Sequence, residues 1–234
     1  MSTTIVSSSN KGSFFDIPKE IWSSRKLTWN LAKNDFKSKF AGSYLGIIWA
    51  FVQPIVTVLV YWFVFEKALN QGTSVAKSGI AVPFVLWLIA GLVPWFYFSD
   101  AVTQGTSVLN TYDYLVKKVV FNISALPIVK IISGLFVHLF FVAFMLLVMF
   151  FAYHFVPTLY MLQVVYYSFA MICLAIGIVY MTSAIMVFFK DLFQIVNIGL
   201  QVLVWATPIM WNIDAMTSIS PKIIFILNLN PMYF

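Results

Sequence analysis

Long apolar runs broken by short polar stretches set the pattern of this chain. The first runs from Tyr44 to Phe65 without a charged residue. At about 1.5 Å per residue it predicts a helix of roughly 33 Å, long enough to cross a bilayer core. Gln53-Pro54 in its middle predicts a kink, which membranes tolerate when neighbouring helices satisfy the freed carbonyl. Further apolar runs predict spans at about 80–103, 126–152, 158–189 and 192–213. The fourth of the five is long enough to tilt or to extend past the bilayer. Ile223 to Leu229 is apolar but too short to cross, so 221–234 is expected as a re-entrant segment.

Ahead of the first span the period changes. Residues 1–20 begin rich in Ser, Thr and Asn and predict a mobile tail. Over 21–41, Trp22, Trp29, Phe36 and Phe40 fall on one helical face, bordered by Arg25, Lys26, Lys33, Lys37 and Lys39. An aromatic stripe with cationic edges predicts a helix lying in the membrane interface. The plainer alternative is a solvated basic segment. Gly42 and Gly46 then predict a turn that feeds this helix straight into the kinked span. Their G-x-x-x-G spacing also matches a helix-dimer motif, although it sits at a turn rather than within a span. The remainder, 42–234, reads as one transmembrane domain.

Composition excludes a water-soluble protein. The chain is 62% hydrophobic and 9% charged, against about 25% charged in soluble domains. The net charge of +6 is concentrated before residue 40, which reads as a topology signal rather than a nucleic-acid patch. Alternating the loops across five spans puts 11 of the 14 Lys and Arg residues on one side, leaving Lys67, Lys77 and Lys222 on the other. By the positive-inside rule, the N-terminus is cytoplasmic. Phe234 would then lie outside, so a final return span is expected beyond it. The single cysteine, Cys173, excludes an intramolecular disulfide. The first 20 residues lack the apolar core of a cleavable signal peptide.

Polar residues within the spans carry the candidate chemistry. Asp100 is expected at the cytoplasmic interface, because the run from Ile80 is about 30 Å long by that point. His138 has no acid in its own span and reads as a hydrogen-bonded bundle residue rather than a proton relay. Gln53, Gln163, Asn197 and Gln201 could line a polar path or join helices, and the sequence leaves both readings open. Trp49 and Trp205 fall inside spans instead of at their ends. With Gln53 and Tyr61 they could line a wide path, because flat aromatic faces stack on sugar rings. Taken singly, such residues pack against lipid or core. There is no G-x-x-x-x-G-K-[ST], no paired carboxylates, no metal-spaced His/Cys cluster and no Ser/His/Asp set on the loops. Any ATP-driven step therefore needs another chain.

Several stretches resemble the membrane subunit of type-2 ABC exporters for cell-surface polysaccharides, the group of O-antigen, capsule and wall teichoic acid permeases. They are FKSKFAGSYLGIIWAFVQPIVTVLVYWFVF (36–65), GLVPWFYFSDAV (91–102), LVKKVVFNISALPI (115–128), FFKDLFQIV (188–196) and LNPMYF (229–234). The resemblance implies an all-α polytopic membrane protein. It would have an N-terminal amphipathic interface helix and a bundle of about six transmembrane helices, five of them present here, with an external re-entrant segment. It further implies two copies forming the path and two separate ATPase subunits holding ATP and Mg, with no cofactor on this chain and no nucleic-acid partner. The location would be the plasma (inner) membrane. The cargo would be an undecaprenyl-diphosphate-linked glycan or polyol phosphate.

Carried over residue by residue, Tyr44, Leu45 and Gly46 match the turn near the lipid-substrate entrance, where Lys33, Lys37 and Lys39 could attract a diphosphate. Asn110 to Asn122 match the loop that couples to the ATPase. That puts Asn110, Tyr112, Asp113, Lys117 and Lys118 at the coupling surface, with Lys190 and Asp191 in the later cytoplasmic turn. Asn122 stands where many relatives have proline. An exporter of drugs or lipids with the same fold is the alternative within transport, and a membrane-embedded transferase is the alternative outside it. An enzyme should show more acids, histidines or a metal site near a membrane surface than this chain does.

Overall fold

The computed structural model describes residues 17–69, 73–75, 81–113, 123–153 and 159–210. Two short helices, α1 (Ile17–Ser23) and α2 (Arg25–Ser38), precede the first span. Thr28 Oγ1 donates to the Ser24 carbonyl at 3.1 Å across the junction between them. After α2 the chain turns through Gly42 (φ 84°) and Gly46 (φ 53°). Both angles lie in the left-handed region, where a Cβ is strained, so glycine is the residue that lets a surface helix bend directly into a span.

The first span starts as a 3-10 turn (Gly46–Ile48), continues as α3 (Trp49–Trp62) and ends in a π-helical segment (Phe63–Ala68). Pro54 lies inside α3. A two-stranded antiparallel hairpin follows, β1 (Thr73–Val75) against β2 (Ala81–Pro83), with Ser74 opposite Val82. The helical pattern of the sequence did not announce this hairpin. It moves the start of the second helix from the expected residue 80 to Phe84, because Pro83 closes the strand and Val82 before it is biased to extended backbone.

Helix α4 (Phe84–Thr106) is the hub of the bundle, and the short α5 (Val108–Thr111) follows it. Next come α6 (Leu126–Tyr153), α7 (Gln163–Met186) and α8 (Leu192–Ala206). Half of the α4 span is buried, against 6% of the span containing α3. The core gathers Leu88, Leu92, Trp95 and Phe98 of α4 with Ala175 and Val179 of α7. Close approach needs small residues here. A Cβ on Gly105 would lie 2.4 Å from Val179 Cγ1, and one on Gly91 would lie 2.7 Å from Ile209 Cγ2. Where apolar packing has little drive, as between helices in lipid, such small-residue contacts and interhelical hydrogen bonds hold the bundle. Thr106 Oγ1 bonds Thr182 Oγ1 at 2.9 Å, and Tyr97 donates to the Ile131 carbonyl at 3.2 Å.

Among the described residues, four helical segments are long and apolar enough to cross a membrane: Gly46–Ala68, Phe84–Thr106, Ile123–Phe151 and Gln163–Met186. The fifth expected span, 192–213, is shorter than the sequence pattern suggested. Helix α8 stops at Ala206, and Thr207 turns to extended backbone (φ −85°, ψ 128°). Pro208 is the cause, since its ring excludes the preceding residue from helical geometry. The tail before residue 17, the stretch 114–122 with Lys117 and Lys118, and the re-entrant segment 221–234 lie outside the described residues.

Candidate functional site

Helix α2 carries its lysines on one side and a small buried face on the other. Thr28, Ala32 and Asp35 recur at helical spacing and are buried, while Lys26, Lys33 and Lys37 are exposed. The buried face packs against the first half of α6. Part of the aromatic stripe expected in the interface is used here as well: the Phe136 ring lies 5.4 Å from Trp29 and 5.6 Å from Phe36. Trp22 remains exposed, with Arg25 5.2 Å from its ring.

Asp35 is the only acid in α2, and its Oδ1 is where three elements meet. Lys130 Nζ of α6 donates to it at 2.6 Å, and the Tyr112 hydroxyl, just past α5, donates at 2.6 Å. The Lys130 ammonium also lies 5.4 Å from the Tyr112 ring centre. The Asp35 and Lys130 side chains are only 9% and 10% exposed. Four residues on, Lys39 Nζ donates to both carboxylate oxygens of Asp100 on α4, at 2.7 and 2.9 Å. That second pair is 34% and 38% exposed. A cavity of about 20 Å³, room for one water, lies between the pairs and is also lined by Ser133 and Gln104. Removing one partner of a buried ion pair costs roughly 3–5 kcal/mol, because the other charge is stranded. An exposed pair is worth about 0–1 kcal/mol.

The expected entrance residues lie around this cluster. Lys33 is exposed and sits 5.3 Å from the Trp29 ring, and Lys37 is exposed. Lys39 is engaged by Asp100, so its charge is matched. Tyr44 and Leu45 are exposed in the turn, and Gly46 is half-buried. Of the expected path residues, Trp49 (45% exposed), Gln53 and Trp205 (57% exposed) all face out of the single chain. Tyr61 instead packs against the core, with its ring 6.4 Å from Phe65. Asn197 is a helix joiner: it accepts from Thr103 Oγ1 at 3.3 Å and donates to the Phe193 carbonyl at 2.8 Å. Gln163 and Gln201 are exposed. His138 lies between α6 and α7, its Nε2 3.4 Å from Ser168 Oγ and its ring 4.9 Å from that of Tyr97.

At the expected coupling surface, Asn110 and Asp113 are exposed, Tyr112 is half-buried on Asp35, and Lys190 and Asp191 are exposed in the turn between α7 and α8. Sequence reasoning missed Asp35 and Lys130 as partners. One signal was available: a lone acid opposite a lysine stripe, on the face that also carries Thr28 and Ala32. Among the described residues no three His, Cys, Asp or Glu side chains gather to hold a metal.

This arrangement, a surface helix clamped onto the ends of two spans and turning into a third, can be set beside known proteins. Residues 26–234 match the family described as ABC-2 type transporter. The chain is 28% identical over 215 residues to the O-antigen export system permease protein RfbA of Myxococcus xanthus, covering 92% of this chain and 78% of the relative. It is 24% identical over 205 residues to the protein of the same name from Klebsiella pneumoniae, covering 86% and 74%. With the family match running from α2 through every span described here, the chain belongs to the ABC-2 type transporters, as a membrane-embedded transport subunit.

Proposed function

We propose that this chain is the permease of an ATP-driven exporter that moves a lipid-linked polysaccharide or polyol phosphate outward across the plasma membrane. Two copies form the path, and two separate ATPase subunits bind ATP and Mg and drive it. The observation that carries this reading is the likeness to two O-antigen export permeases, over 92% and 86% of this chain. The physics agrees. A diphosphate headgroup and a long polar glycan cannot enter hydrocarbon unaided, so a wet path must open between protein surfaces. Exposed Lys33 and Lys37 stand ready at the headgroup level for a diphosphate, whereas Lys39 is already matched by Asp100. Trp49, Gln53 and Trp205 face out of the single chain, as residues lining a path between two copies must. The N-terminus and the 110–122 loop lie on the cytoplasmic side with the ATPases.

The test is deletion of this permease in its own cell, with surface polysaccharide stained and lipid-linked glycan extracted from the membrane. Loss of surface polymer with accumulation of its lipid-linked precursor is expected, and wild-type permease supplied in trans restores export. Normal surface polymer in the deletion overturns the substrate reading and points to a drug or lipid cargo.

A further inference from the structure

Asp35 is buried and matched on one oxygen by two donors from different elements. We propose that Asp35 is a positioning residue that locks α2, the Tyr112 segment and α6 into one body. A push arriving at Tyr112 is thereby delivered to the turn that enters the first span. The inference rests on the transport reading above for its functional consequence.

The geometry makes Tyr112 the handle. It stands at the start of the loop matched to ATPase coupling, and its hydroxyl reaches Asp35 across 77 residues of sequence. Lys130 fixes the same oxygen from α6, 95 residues away. One turn further along α2, Lys39 grips Asp100 and so adds α4 to the assembly. Helix α2 is therefore held at two points, four residues apart, by three partner segments. Directly beyond the second point come Gly42 and Gly46 and then α3, whose span is the least buried of the four candidates at 6%. A clamped helix feeding a loosely held one through a left-handed turn directs displacement into the loose element. Packed elements with few alternative arrangements transmit such shifts, while weakly packed ones absorb them.

A hydrogen-bonded, buried ion pair suits this role because it is strict about geometry. Apolar contacts slide, but a carboxylate oxygen shared by an ammonium and a phenol does not, and losing any one member strands the others. The exposed Lys39–Asp100 pair cannot enforce position in the same way, since water replaces either partner readily.

The experiment uses the complete transporter, permease with its ATPase subunits in lipid nanodiscs, in four forms: wild type, Asp35→Asn, Tyr112→Phe, and the exchange Asp35→Lys with Lys130→Asp. The first measurement is glycan exported per ATP hydrolysed at equal permease content. Asp35→Asn lowers this ratio roughly tenfold and Tyr112→Phe lowers it about threefold, the range over which coupling residues act without touching ligand. The exchange recovers at least part of the loss. The second measurement, backbone hydrogen exchange over residues 36–48, needs no cargo, and Asp35→Asn speeds it. Wild-type coupling and wild-type exchange rates in Asp35→Asn overturn the proposal. So does lowered permease abundance with an unchanged ratio, which marks a purely structural pair. If wild type exports no glycan while Asp35→Asn still loosens 36–48, the substrate reading falls and the clamp stands.

Discussion

Lys39 and Asp100 form a chelate: one ammonium lies within 2.9 Å of both carboxylate oxygens, joining the end of α2 to α4. The pairing explains why an acid is tolerated in the apolar stretch of α4. Its counter-ion arrives from the end of α2, so the carboxylate is matched by a charge rather than stranded among apolar side chains.

The two ion pairs of this cluster should differ sharply in their weight. Asp100→Asn is expected to lower unfolding free energy by about 1 kcal/mol or less, because its pair is more than a third exposed and screened. Asp35→Asn is expected to cost roughly 3–5 kcal/mol, since it leaves the buried Lys130 ammonium without its counter-ion. Denaturant titration of the purified permease in mixed micelles compares them. Equal losses at both positions would mean that burial does not govern the cluster.

A second expectation concerns the packing of α4 on α7. Gly105→Ala places a Cβ 2.4 Å from a Val179 methyl, and this overpacking should cost about 1–3 kcal/mol. Val179→Ala made in the same chain should return most of that loss by clearing the methyl. The double-mutant cycle reads the coupling directly. Additive losses would show that the helices part by some other route.

These two sets of residues also mark where the sequence was legible. The spans were readable because long uncharged runs have few other solutions in a bilayer, and Gly42 with Gly46 announced the turn. The end of α8 was misjudged although Pro208 was in plain view. Pro54 and Pro94 lie inside helices, so a proline within an apolar run does not by itself predict a break. The Asp35 cluster was hidden for a different reason. Its partners lie 77 and 95 residues away, and no local periodicity encodes which distant lysine a lone acid will meet. Tyr61 shares the uncharged run with Trp49 and Gln53 yet turns to the core, because the rotation of α3 about its axis follows from packing on α4.

Orientation can be read by labelling. A cysteine at Ser74, in the hairpin strand β1, should react with a membrane-impermeant maleimide from outside intact cells. A cysteine at Ser9 should react only after permeabilisation. The basis is the 11-to-3 division of Lys and Arg between the two sides. Labelling of Ser9 in intact cells would invert the topology and remove the 110–122 loop from the ATPase side.

The path itself is tested at Trp49. This residue opens α3 directly after the turn, and Gln53, one helical turn along, is exposed with it. An indole and an amide one turn apart on an uncovered face suit a polar, ring-bearing cargo better than they suit acyl chains. A flat ring offers a sugar a stacking surface without requiring one pattern of hydroxyls, which a path for a repeating glycan needs. Losing such a face should cost about 1 kcal/mol per contact, by analogy with aromatic pairs, so Trp49→Ala should slow export several-fold. Trp49→Phe should restore most of it, because the face survives while the indole N–H does not. Substitution by Leu separates stacking from bulk, since it fills space without a π face and should behave like Ala. A lipid-facing Trp49 makes the opposite prediction, with all three variants exporting at the wild-type rate once normalised to membrane abundance. That outcome would move the path to another face of the bundle and leave Trp49 as an interfacial anchor.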